Sequence, residues 1–516
     1  MTTSSPLFMG IDVGTEAGRV GIFNSQGDLL AMAAAPYETA HPRPGWAEQN
    51  PFDWWQAICK CSREVTEKIK GQGNVCAVAV CATSATVLAV DQFGLPLENA
   101  IIWMDSRAGK ECSDINATRH EILKFSGGEV SVEWMVPKRL WLKRNRKDIY
   151  SQASMIVEAL DWINFKLSGV WAISKCNAGC KWNYVDPQGG WDSDFFRQIG
   201  LEDFAEKWPA KVLAMGEAVG HLTRDACMEL GLSGAPLLVQ GSIDAHTGML
   251  GLGVTRTGEL AVIMGTSFVH LALSDKPIFA KGLWGPYPNV IVPGLWLIEG
   301  GQISAGSITR WFRDHLAQDL SADGHMAYQH LAEEAARVPA GSEGLVVLDF
   351  WQGNRTPFRD PNLSGAIWGL RLHHARGHVY RAILEAVGYG TKNVLKIFEA
   401  NDFKPHKFIA CGGATKNSLW LQMIADICQM PITLTRETEA VLLGAAINAS
   451  VGVGSYDTFS DACREMVSDQ NIVQPNEKLQ DVYEYSFEKY LETHEVLSSM
   501  MSRMENERSI GQYRHP

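Results

Sequence analysis

Two segments far apart in the chain, MGIDVGTEAGRVGIF at residues 9–23 and ELAVIMGTSFVHLAL at residues 259–273, share one pattern: an apolar run, Gly-Thr, and a second apolar run. Each predicts a β-hairpin, in which glycine gives the turn a permissive backbone and threonine places a hydroxyl beside exposed N–H groups. Backbone amides that converge on a tight turn can bind phosphate. Two such hairpins facing each other would hold a nucleotide triphosphate. Two ordinary hairpins are the alternative, because short glycine motifs often occur by chance.

Each hairpin has its own candidate phosphate-binding residues. They are Gly14 and Thr15 in the first hairpin and Gly265 and Thr266 in the second. Asp12, just before Gly14, adds a carboxylate suited to the hydration shell of a magnesium ion. We therefore expect the first hairpin to lie close to both phosphate and metal.

Length and charge restrict the class of protein. A chain of 516 residues predicts about two to four domains. The net charge of −12 argues against a nucleic-acid partner, because there is no basic excess to replace counterions. No stretch approaches the roughly 18 apolar residues of a membrane span, and the N-terminus lacks the regions of a secretion signal. We expect a cytoplasmic protein with a small-molecule ligand and no membrane partner.

The eleven cysteines form no paired CxxC framework. In a reducing compartment they are expected to be small core residues or incidental thiols. His373 and His374 are adjacent and cannot share a helix face, and His246 has no partner at ligand spacing in the sequence. We therefore predict structural histidines and no metal-ligand set among these residues.

Strands and helices alternate along the chain, which is typical of an α/β fold. We predict strands over residues 7–35, a helix from Asn50 to Lys70, and a helical stretch from Val136 to about Gly169. Later in the chain we predict a helix from about His378 to Ala400. From about Tyr483 the polar tail predicts a helix that ends in disorder.

The second hairpin begins at Glu259 and restarts the strand-turn-strand pattern. The chain therefore repeats one architecture, and we expect two domains, residues 1–255 and 256–516. A hinge near Gly251–Gly258 would let them close and expel water from the site.

Asp244 follows the apolar segment PLLVQGSI, at a strand end where ligands of open α/β sheets bind. Phosphoryl transfer to an alcohol needs one carboxylate that orients the hydroxyl and accepts its proton. Asp244 can fill that role. The alternative is that Asp244 only caps the following helix.

Gly412 and Gly413 lie between a predicted strand and a predicted helix. Without side chains they permit a planar group to approach, and the helix N-terminus offers free N–H groups. An adenosine group could bind there. A plain turn between strand and helix is the alternative.

The order of these elements is more specific than any one of them. An Asp-x-Gly-Thr hairpin, a strand-borne Asp, a second Gly-Thr hairpin and a Gly-Gly turn follow one another at Asp12, Asp244, Thr266 and Gly412. This series resembles the sugar kinases of the FGGY family, as do PGWAEQNPFDWW and GAIWGLRLHHARGHVYRAILEAV. The resemblance covers about residues 7–455. It implies an α/β fold of two ribonuclease H-like domains, of the actin and hexokinase type, with a cleft between them.

The resemblance also implies roles for the candidate residues. ATP and Mg²⁺ would be the cofactors, and Asp244 would be catalytic as the proton acceptor. Asp12 and Asp244 would hold the metal through water. The nucleotide-binding residues would be Gly14, Thr15, Gly265 and Thr266 for the phosphates and Gly412, Gly413 and Asn417 for the adenosine.

Within the family, the motifs SIDAH, EGGQ, WGPY and GNR look most like those of ribulokinases and related pentulose kinases. By the same resemblance, Trp103 and Lys181 line the ribulose site and Glu299 faces a sugar hydroxyl. Thr83 occupies the strand end where the family makes sugar contacts. Its segment ATSAT lacks the acidic or Gln-Met-His patterns of glycerol kinases and xylulokinases, which leaves the particular sugar open.

These observations predict an ATP-dependent kinase for a terminal hydroxyl of a ketopentose, with ribulose as the first candidate. The other acceptors are the second ribulose enantiomer, a four-carbon ketose such as erythrulose, and a polyol such as erythritol or ribitol. A nucleotide-switched binding protein of the actin or chaperone type is the alternative from another class, and it would not need Asp244 or the sugar-side residues. The oligomeric state stays open, with a homodimer among the candidates.

Overall fold

The computed structural model describes residues 6–323 and 325–509 of the chain, in which strands and helices alternate. The strands are β1 (Leu7–Val13), β2 (Ala17–Phe23), β3 (Leu29–Pro36), β4 (Glu48–Gln49), β5 (Val75–Ala82), β6 (Val87–Val90), β7 (Ala100–Ile101), β8 (Met155–Glu158), β9 (Ile173–Ser174), β10 (Tyr184–Val185), β11 (Gly190–Trp191), β12 (Val212–Leu213), β13 (Ala218–His221), β14 (Leu237–Val239), β15 (Glu259–Met264), β16 (Phe268–Ser274), β17 (Trp284–Pro288), β18 (Trp296–Gln302), β19 (Val346–Leu348), β20 (Ala366–Trp368), β21 (Lys407–Cys411), β22 (Ile432–Thr435) and β23 (Asp469–Val473). The helices are α1 (Pro51–Lys68), α2 (Gly109–Ala117), α3 (Met135–Asn145), α4 (Lys147–Gln152), α5 (Ala159–Ser168), α6 (Lys175–Lys181), α7 (Ser193–Gln198), α8 (Arg224–Leu230), α9 (Asp244–Gly251), α10 (Gly306–Leu316), α11 (His325–Ala336), α12 (Arg376–Ala400), α13 (Ser418–Cys428), α14 (Ala440–Gly452), α15 (Phe459–Met466) and α16 (Gln480–Ser509).

The two large sheets share the chain order of five strands and the directions of six, and they differ in that β13 precedes β14 in the chain whereas β23 follows β22. The first has the strand order β3-β2-β1-β5-β14-β13, and the second has the order β18-β16-β15-β21-β22-β23 with β17 added beside β18. In each sheet three antiparallel strands are followed by two that run parallel to the first strand of the hairpin, and the last strand is antiparallel again. The predicted duplication is therefore present at the level of strand order and direction, and the α/β expectation is confirmed.

Helix α1 shows how local sequence sets an element. Asn50 caps the helix by accepting a hydrogen bond from the Phe52 amide, and Pro51 occupies the first turn, where its missing N–H is not needed. Trp54 and Ile58 are among the residues that bury one face of the helix against the first sheet. The prediction of a helix over this segment is confirmed within two residues at either end.

The predicted helical stretch from Val136 to Gly169 is wrong in its middle. The structure divides it into three helices and the strand β8, which pairs antiparallel with β6. Ile156 and Val157 are fully buried there. The helical spacing of apolar residues across this region concealed a strand of four residues, because so short a strand is defined by its partner rather than by its own periodicity.

Helices α9 and α14 pack against each other between the two sheets, with backbone against backbone. A Cβ added to Gly251 would lie 1.8 Å from the Ala440 carbonyl oxygen, and one added to Gly444 would lie 2.0 Å from the Thr247 carbonyl oxygen. On its other side α14 approaches Gly10 of β1, where an added Cβ would lie 2.5 Å from the Leu442 carbonyl oxygen. Glycine is therefore required at these positions for the helices to approach so closely.

The polar tail forms α16, which begins at Gln480, three residues before the predicted start. Tyr490 on this helix donates a hydrogen bond to Asp349 over 2.7 Å and so anchors the helix to the second half of the chain. The predicted disorder at the end of the tail falls on residues 510–516, which lie outside the described residues.

Candidate active site

The first hairpin joins predicted phosphate and sugar residues. The Gly14 amide donates to the Ala17 carbonyl over 3.1 Å and closes the turn. The half-buried Thr15 accepts a hydrogen bond from the indole nitrogen of Trp103 over 2.9 Å. A residue predicted to bind phosphate and one predicted to line the sugar site are thus direct neighbours.

Asp12 lies in an ion-pair network that connects the two halves of the chain. It is fully buried and opposite Arg19 in the hairpin register, and its Oδ2 accepts a hydrogen bond from the Arg19 Nε over 2.8 Å. Arg19 also contacts Glu439, the residue before α14, over 3.1 Å. Burial raises the pKa of Asp12, against the opposing charge of Arg19. The network therefore concentrates charge beside the Gly14 turn.

Asp244 is the first residue of α9 and is half-buried. The residue in the capping position is Ile243, and the Asp244 Oδ1 accepts only from the next amide, that of Ala245, over 2.6 Å. Burial raises the pKa of Asp244 to about 7, and the nearby charge of Asp12 adds to this effect. The side chain is therefore a better base than a free aspartate, and helix capping does not account for its position.

The second hairpin, the Gly-Gly turn and a helix N-terminus lie together. The Gly265 amide donates to the Ser267 carbonyl over 3.0 Å, and the Thr266 carbonyl accepts from the Ser307 amide in the first turn of α10 over 3.0 Å. Gly412 has φ of 104°, and an added Cβ would lie 2.6 Å from the Met264 carbonyl oxygen. Only glycine can bring the end of β21 this close to the end of β15.

The predicted adenosine residues lie in the turn before α13, where Gly413 is exposed. Apart from its neighbours in the chain, no heavy atom lies within 4 Å of the place where a Cβ would stand on Gly413. Asn417 caps α13 by accepting a hydrogen bond from the Trp420 amide over 3.1 Å. A short 3-10 turn over Gly413–Lys416 precedes the helix, so the glycines lead into that turn and not directly into α13.

The predicted sugar residues Lys181 and Glu299 form a buried ion pair. The Lys181 Nζ lies 3.4 Å from the Glu299 Oε2, and the indole rings of Trp134 and Trp284 lie 5.1 and 5.2 Å from the same ammonium. The His246 Nε2 lies 3.7 Å from the Glu299 Oε2. Burial opposes the charge of Glu299, but Lys181 and His246 together lower its pKa to about 2. The cluster is therefore charged.

Thr83 follows β5 and lies next to the first hairpin. Its amide donates to the Val13 carbonyl over 3.1 Å, and its hydroxyl shares a hydrogen bond with Thr86 over 2.9 Å. The structure thus brings Thr83 beside the Gly14 turn. Among the described residues, Thr83 is hydrogen-bonded to Val13 and Thr86 and not to Lys181 or Glu299.

Lys138 on α3 is a residue that sequence reasoning missed. The fully buried ammonium donates to the carbonyls of Ala85 and Ile102 over 2.8 and 2.7 Å. These carbonyls belong to the loops that carry Thr83 and Trp103. Its nearest carboxylates, on Asp105, Glu133 and Glu158, only partly offset the cost of burial, which lowers the pKa of Lys138 to about 7.

We expect Lys138 to make the free energy of unfolding depend on pH between about pH 7 and 10. Above about pH 7 the unfolded chain keeps a proton on this lysine that the folded chain has lost, so stability rises with pH up to the unfolded pKa near 10.4. The contribution is about 1.4 kcal/mol per pH unit. Denaturant unfolding of Lys138→Met between pH 7 and 10 should lack this rise. Lys60→Met, at an exposed position of α1, is the matched control, and an unchanged slope in Lys138→Met would contradict the assignment.

Cys176 and Cys180 lie beside His246, which differs from the prediction that His246 has no partner. The Cys176 Sγ lies 3.3 Å from the His246 Nδ1, although the two residues are 70 positions apart. Although burial opposes it, hydrogen bonding from Cys180 and the neighbouring His246 lower the pKa of Cys176 to about 5. No spacing in the sequence could reveal this cluster, because the cysteines and the histidine come from different elements.

A second ion pair spans the halves near the sugar residues. Arg355, in the predicted GNR motif, contacts Glu133 over 2.9 Å, and its guanidinium lies 5.5 Å from the ring of Trp284. Its charge also lowers the pKa of Glu299. Trp284 thus lies near both cations, with its ring 5.2 Å from the Lys181 ammonium and 5.5 Å from the Arg355 guanidinium.

Each half of the chain thus carries one large sheet that begins with a Gly-Thr hairpin, and Asp244 begins the helix that follows the first sheet. The chain belongs to the FGGY family of carbohydrate kinases: the N-terminal domain of that family matches residues 7–251 and the C-terminal domain matches residues 260–453. It is therefore a sugar kinase, and kinases of this family use ATP.

Relatives extend over nearly the whole chain. An FGGY carbohydrate kinase domain-containing protein of Homo sapiens is 34% identical, with 94% of this chain and 95% of the relative covered. A ribulokinase of Halalkalibacterium halodurans is 30% identical, with 99% and 98% covered. The crystal structure of a xylulose kinase from Rhodospirillum rubrum shares the fold, with a TM-score of 0.84, 24% identity, and coverage of 96% of this chain and 99% of that one. In the described part of the chain, every helix is too short or too polar to cross a bilayer.

Proposed function

We propose that this kinase transfers the terminal phosphate of ATP to a terminal hydroxyl of a ketopentose, and that ribulose is the first acceptor to test. The proposal is carried by the position of Asp244 at the start of α9, the helix whose His246 lies 3.7 Å from the Glu299 carboxylate, and the charge of Asp12 acts on the same side chain. Asp12 belongs to the Gly14 turn, and His246 contacts the Lys181–Glu299 pair. Asp244 therefore stands between the proposed phosphate side and the proposed sugar side.

The sugar side supports a polyhydroxylated acceptor. The charged groups of Lys181 and Glu299 are buried and lie 3.4 Å apart, and charge-assisted hydrogen bonds to hydroxyls are stronger than neutral ones. Trp103 would border the same acceptor from the first hairpin, and Thr83 would lie at its edge. The similarity to the ribulokinase of H. halodurans favours ribulose over other ketoses.

The nucleotide side fits ATP and Mg²⁺. The close approach at Gly412 and the open space at Gly413 leave room for a planar base, which Asn417 would border. Gly14, Thr15, Gly265 and Thr266 would cradle the phosphates with their turn amides and hydroxyls. Asp12 and Asp244 offer the oxygen ligands that magnesium prefers, here through water. When bound, the metal supplies positive charge that stabilises the transferring phosphate.

In the proposed mechanism Asp244 orients the acceptor hydroxyl and takes its proton as the oxygen attacks. Burial makes this carboxylate more basic than a free one, which suits proton transfer near neutral pH. Arg19 holds Asp12 in place, and positioning with electrostatics does most of the remaining work in phosphoryl transfer.

We propose a division into domains at residues 1–255 and 256–516, with closure about the segment between α9 and β15. Gly253 and Gly258 in this segment have φ of 73° and 87°. Closure would exclude water and limit wasteful hydrolysis of ATP. The use of ATP as phosphate donor agrees with the predicted cytoplasmic location.

A coupled assay of ADP release over ketoses and polyols of three to six carbons tests the acceptor, with Asp244→Asn as the blank. Ribulose should give the highest kcat/KM. A response only to erythrulose, erythritol or ribitol would replace ribulose by that acceptor and keep the kinase chemistry. ATP turnover unchanged by every compound would overturn the proposed acceptor class, and it would return the chain to the nucleotide-switched alternative.

A further inference from the structure

Cys176, Cys180 and His246 form a cluster of potential metal ligands outside the proposed phosphate site. Their candidate ligand atoms, two Sγ and one imidazole nitrogen, all lie within 4.8 Å of one another. All three side chains are buried, with at most 1% of their surface exposed. The proposed mechanism gives the two cysteines no role and uses His246 only as a neighbour of the Lys181–Glu299 pair.

Helices α6 and α9 bring the three candidate ligands together. Cys176 and Cys180 are four residues apart on α6, so their side chains lie on the same helix face. His246 on α9 approaches that face, with its Nδ1 3.3 Å from the Cys176 Sγ. In a tetrahedral zinc site with bonds of about 2.3 Å to sulfur and about 2.0 Å to nitrogen, ligand atoms lie about 3.5–4 Å apart. Small side-chain movements would therefore suffice.

A second observation also points to a metal. The other ring nitrogen of His246, Nε2, faces the Glu299 Oε2 at 3.7 Å. Histidines that bind zinc commonly donate their second N–H to a carboxylate, which fixes the ring orientation and raises the basicity of the ligand. Glu299 is placed to do this for His246, and the Nδ1 then points at the two thiols.

We propose that Cys176, Cys180 and His246 bind one thiophilic divalent cation, of the class of Zn²⁺, through two sulfur atoms and one imidazole nitrogen. The cation would replace the proton between the Cys176 Sγ and the His246 Nδ1, and binding would release that proton and the proton of the Cys180 thiol to the solvent. Three protein ligands leave a fourth position open for water or another small ligand. Soft thiolate ligands select such a cation over Mg²⁺, so this site and the proposed phosphate site would not compete for the same metal.

A separate surface cluster gives a contrast. The exposed side chains of Glu343 and His373 approach to 3.0 Å, with His374 beside them. The His374 Nδ1 accepts a hydrogen bond from the Arg371 amide over 3.0 Å, which leaves the proton on its outer nitrogen and makes that nitrogen unsuited to a metal. This cluster contains no sulfur. A spectroscopic probe that detects metal–thiolate bonds therefore distinguishes the two places.

Cobalt(II) titration of the full-length reduced protein tests the proposal. We expect one equivalent per chain to produce a thiolate-to-cobalt charge-transfer band in the near ultraviolet, which Zn²⁺ then removes by displacement. Cys176→Ala and Cys180→Ala should each weaken or abolish the band. Cys227→Ala, which removes a buried thiol from α8, should leave it unchanged. Glu299→Gln should weaken Co²⁺ affinity about 10- to 100-fold, as expected when a supporting carboxylate is lost.

Cobalt binding without a thiolate band would overturn the proposal, and so would an undiminished band in Cys176→Ala. If the variants fail to fold, the unmodified protein still gives an answer. Under slow alkylation followed by peptide mapping, Zn²⁺ should protect Cys176 and Cys180 and leave the labelling of Cys227 unchanged. Equal labelling of Cys176 with and without Zn²⁺ would contradict the site. These readouts do not depend on kinase activity or on the identity of the sugar.

Discussion

Asp244→Asn is expected to lower kcat for sugar phosphorylation by about 100- to 10,000-fold, the range associated with loss of a general base. The asparagine side chain keeps the size of the aspartate, but it cannot accept the proton of the sugar hydroxyl. Binding of ATP should survive, because the hairpin turns and the Gly412 region are untouched. Coupled ADP release measures the first quantity, and ATP-dependent thermal stabilisation measures the second.

Asp426→Asn is the matched control for this substitution. Asp426 on α13 is buried, its pKa is raised by burial like that of the half-buried Asp244, and it accepts a hydrogen bond from the Asn476 amide over 2.7 Å. Loss of this carboxylate should change stability and leave kcat nearly unchanged. Turnover in Asp244→Asn within a few-fold of the wild-type value would remove Asp244 from the role of proton acceptor.

Glu299→Gln is expected to lower kcat/KM for the sugar about 10- to 100-fold, because a charged hydrogen bond contributes about 1.5–3 kcal/mol and each 1.4 kcal/mol is tenfold. The substitution also leaves the Lys181 ammonium buried without its carboxylate. Breaking a buried ion pair costs about 3–5 kcal/mol, so the free energy of unfolding should fall as well. The KM for ATP should stay close to its wild-type value.

Glu385→Gln separates these two effects. Glu385 and Arg381 form another buried ion pair on α12, over 2.8 Å, and neither residue belongs to the proposed sugar pocket. This variant should lose stability and retain its sugar KM. If Glu299→Gln loses stability but keeps the sugar kcat/KM, then Glu299 is structural and the proposed sugar pocket is misplaced.

The parts of the fold that were predictable are those that short segments define by themselves. Apolar runs on both sides of Gly-Thr specify each hairpin, and their repetition in the chain indicated the duplicated sheet. Asn50 with Pro51 specifies the start of α1 in the same local way. The helical prediction for residues 136–169 was wrong because β8 forms only by pairing with β6, and no local sequence pattern indicates that pairing.

Site residues could be predicted where their motifs follow one another along the chain in a recognisable order. They could not be predicted where contacts between distant residues bring them together. The pairing of Lys181 with Glu299 fits the family resemblance, although their roles remain proposals. Arg19 could have been found from the hairpin register, since it lies opposite Asp12. Its other partner, Glu439, is 420 residues away and has no local signature. Buried networks of this kind are assembled by tertiary packing, so their members are visible only after folding.

The glycine contacts between α9 and α14 have a mechanical consequence. Asp244 begins one of these helices, and Glu439, which holds Arg19, immediately precedes the other. Because the two helices meet backbone to backbone at Gly251 and Gly444, no side chain lies between them there whose rotation could absorb sliding. We therefore expect α9 and α14 to move together as one rigid unit. We expect the cleft to open and close without a change in the spacing between Asp244 and Arg19, because both residues belong to the first half of the chain and Glu439 before α14 holds Arg19.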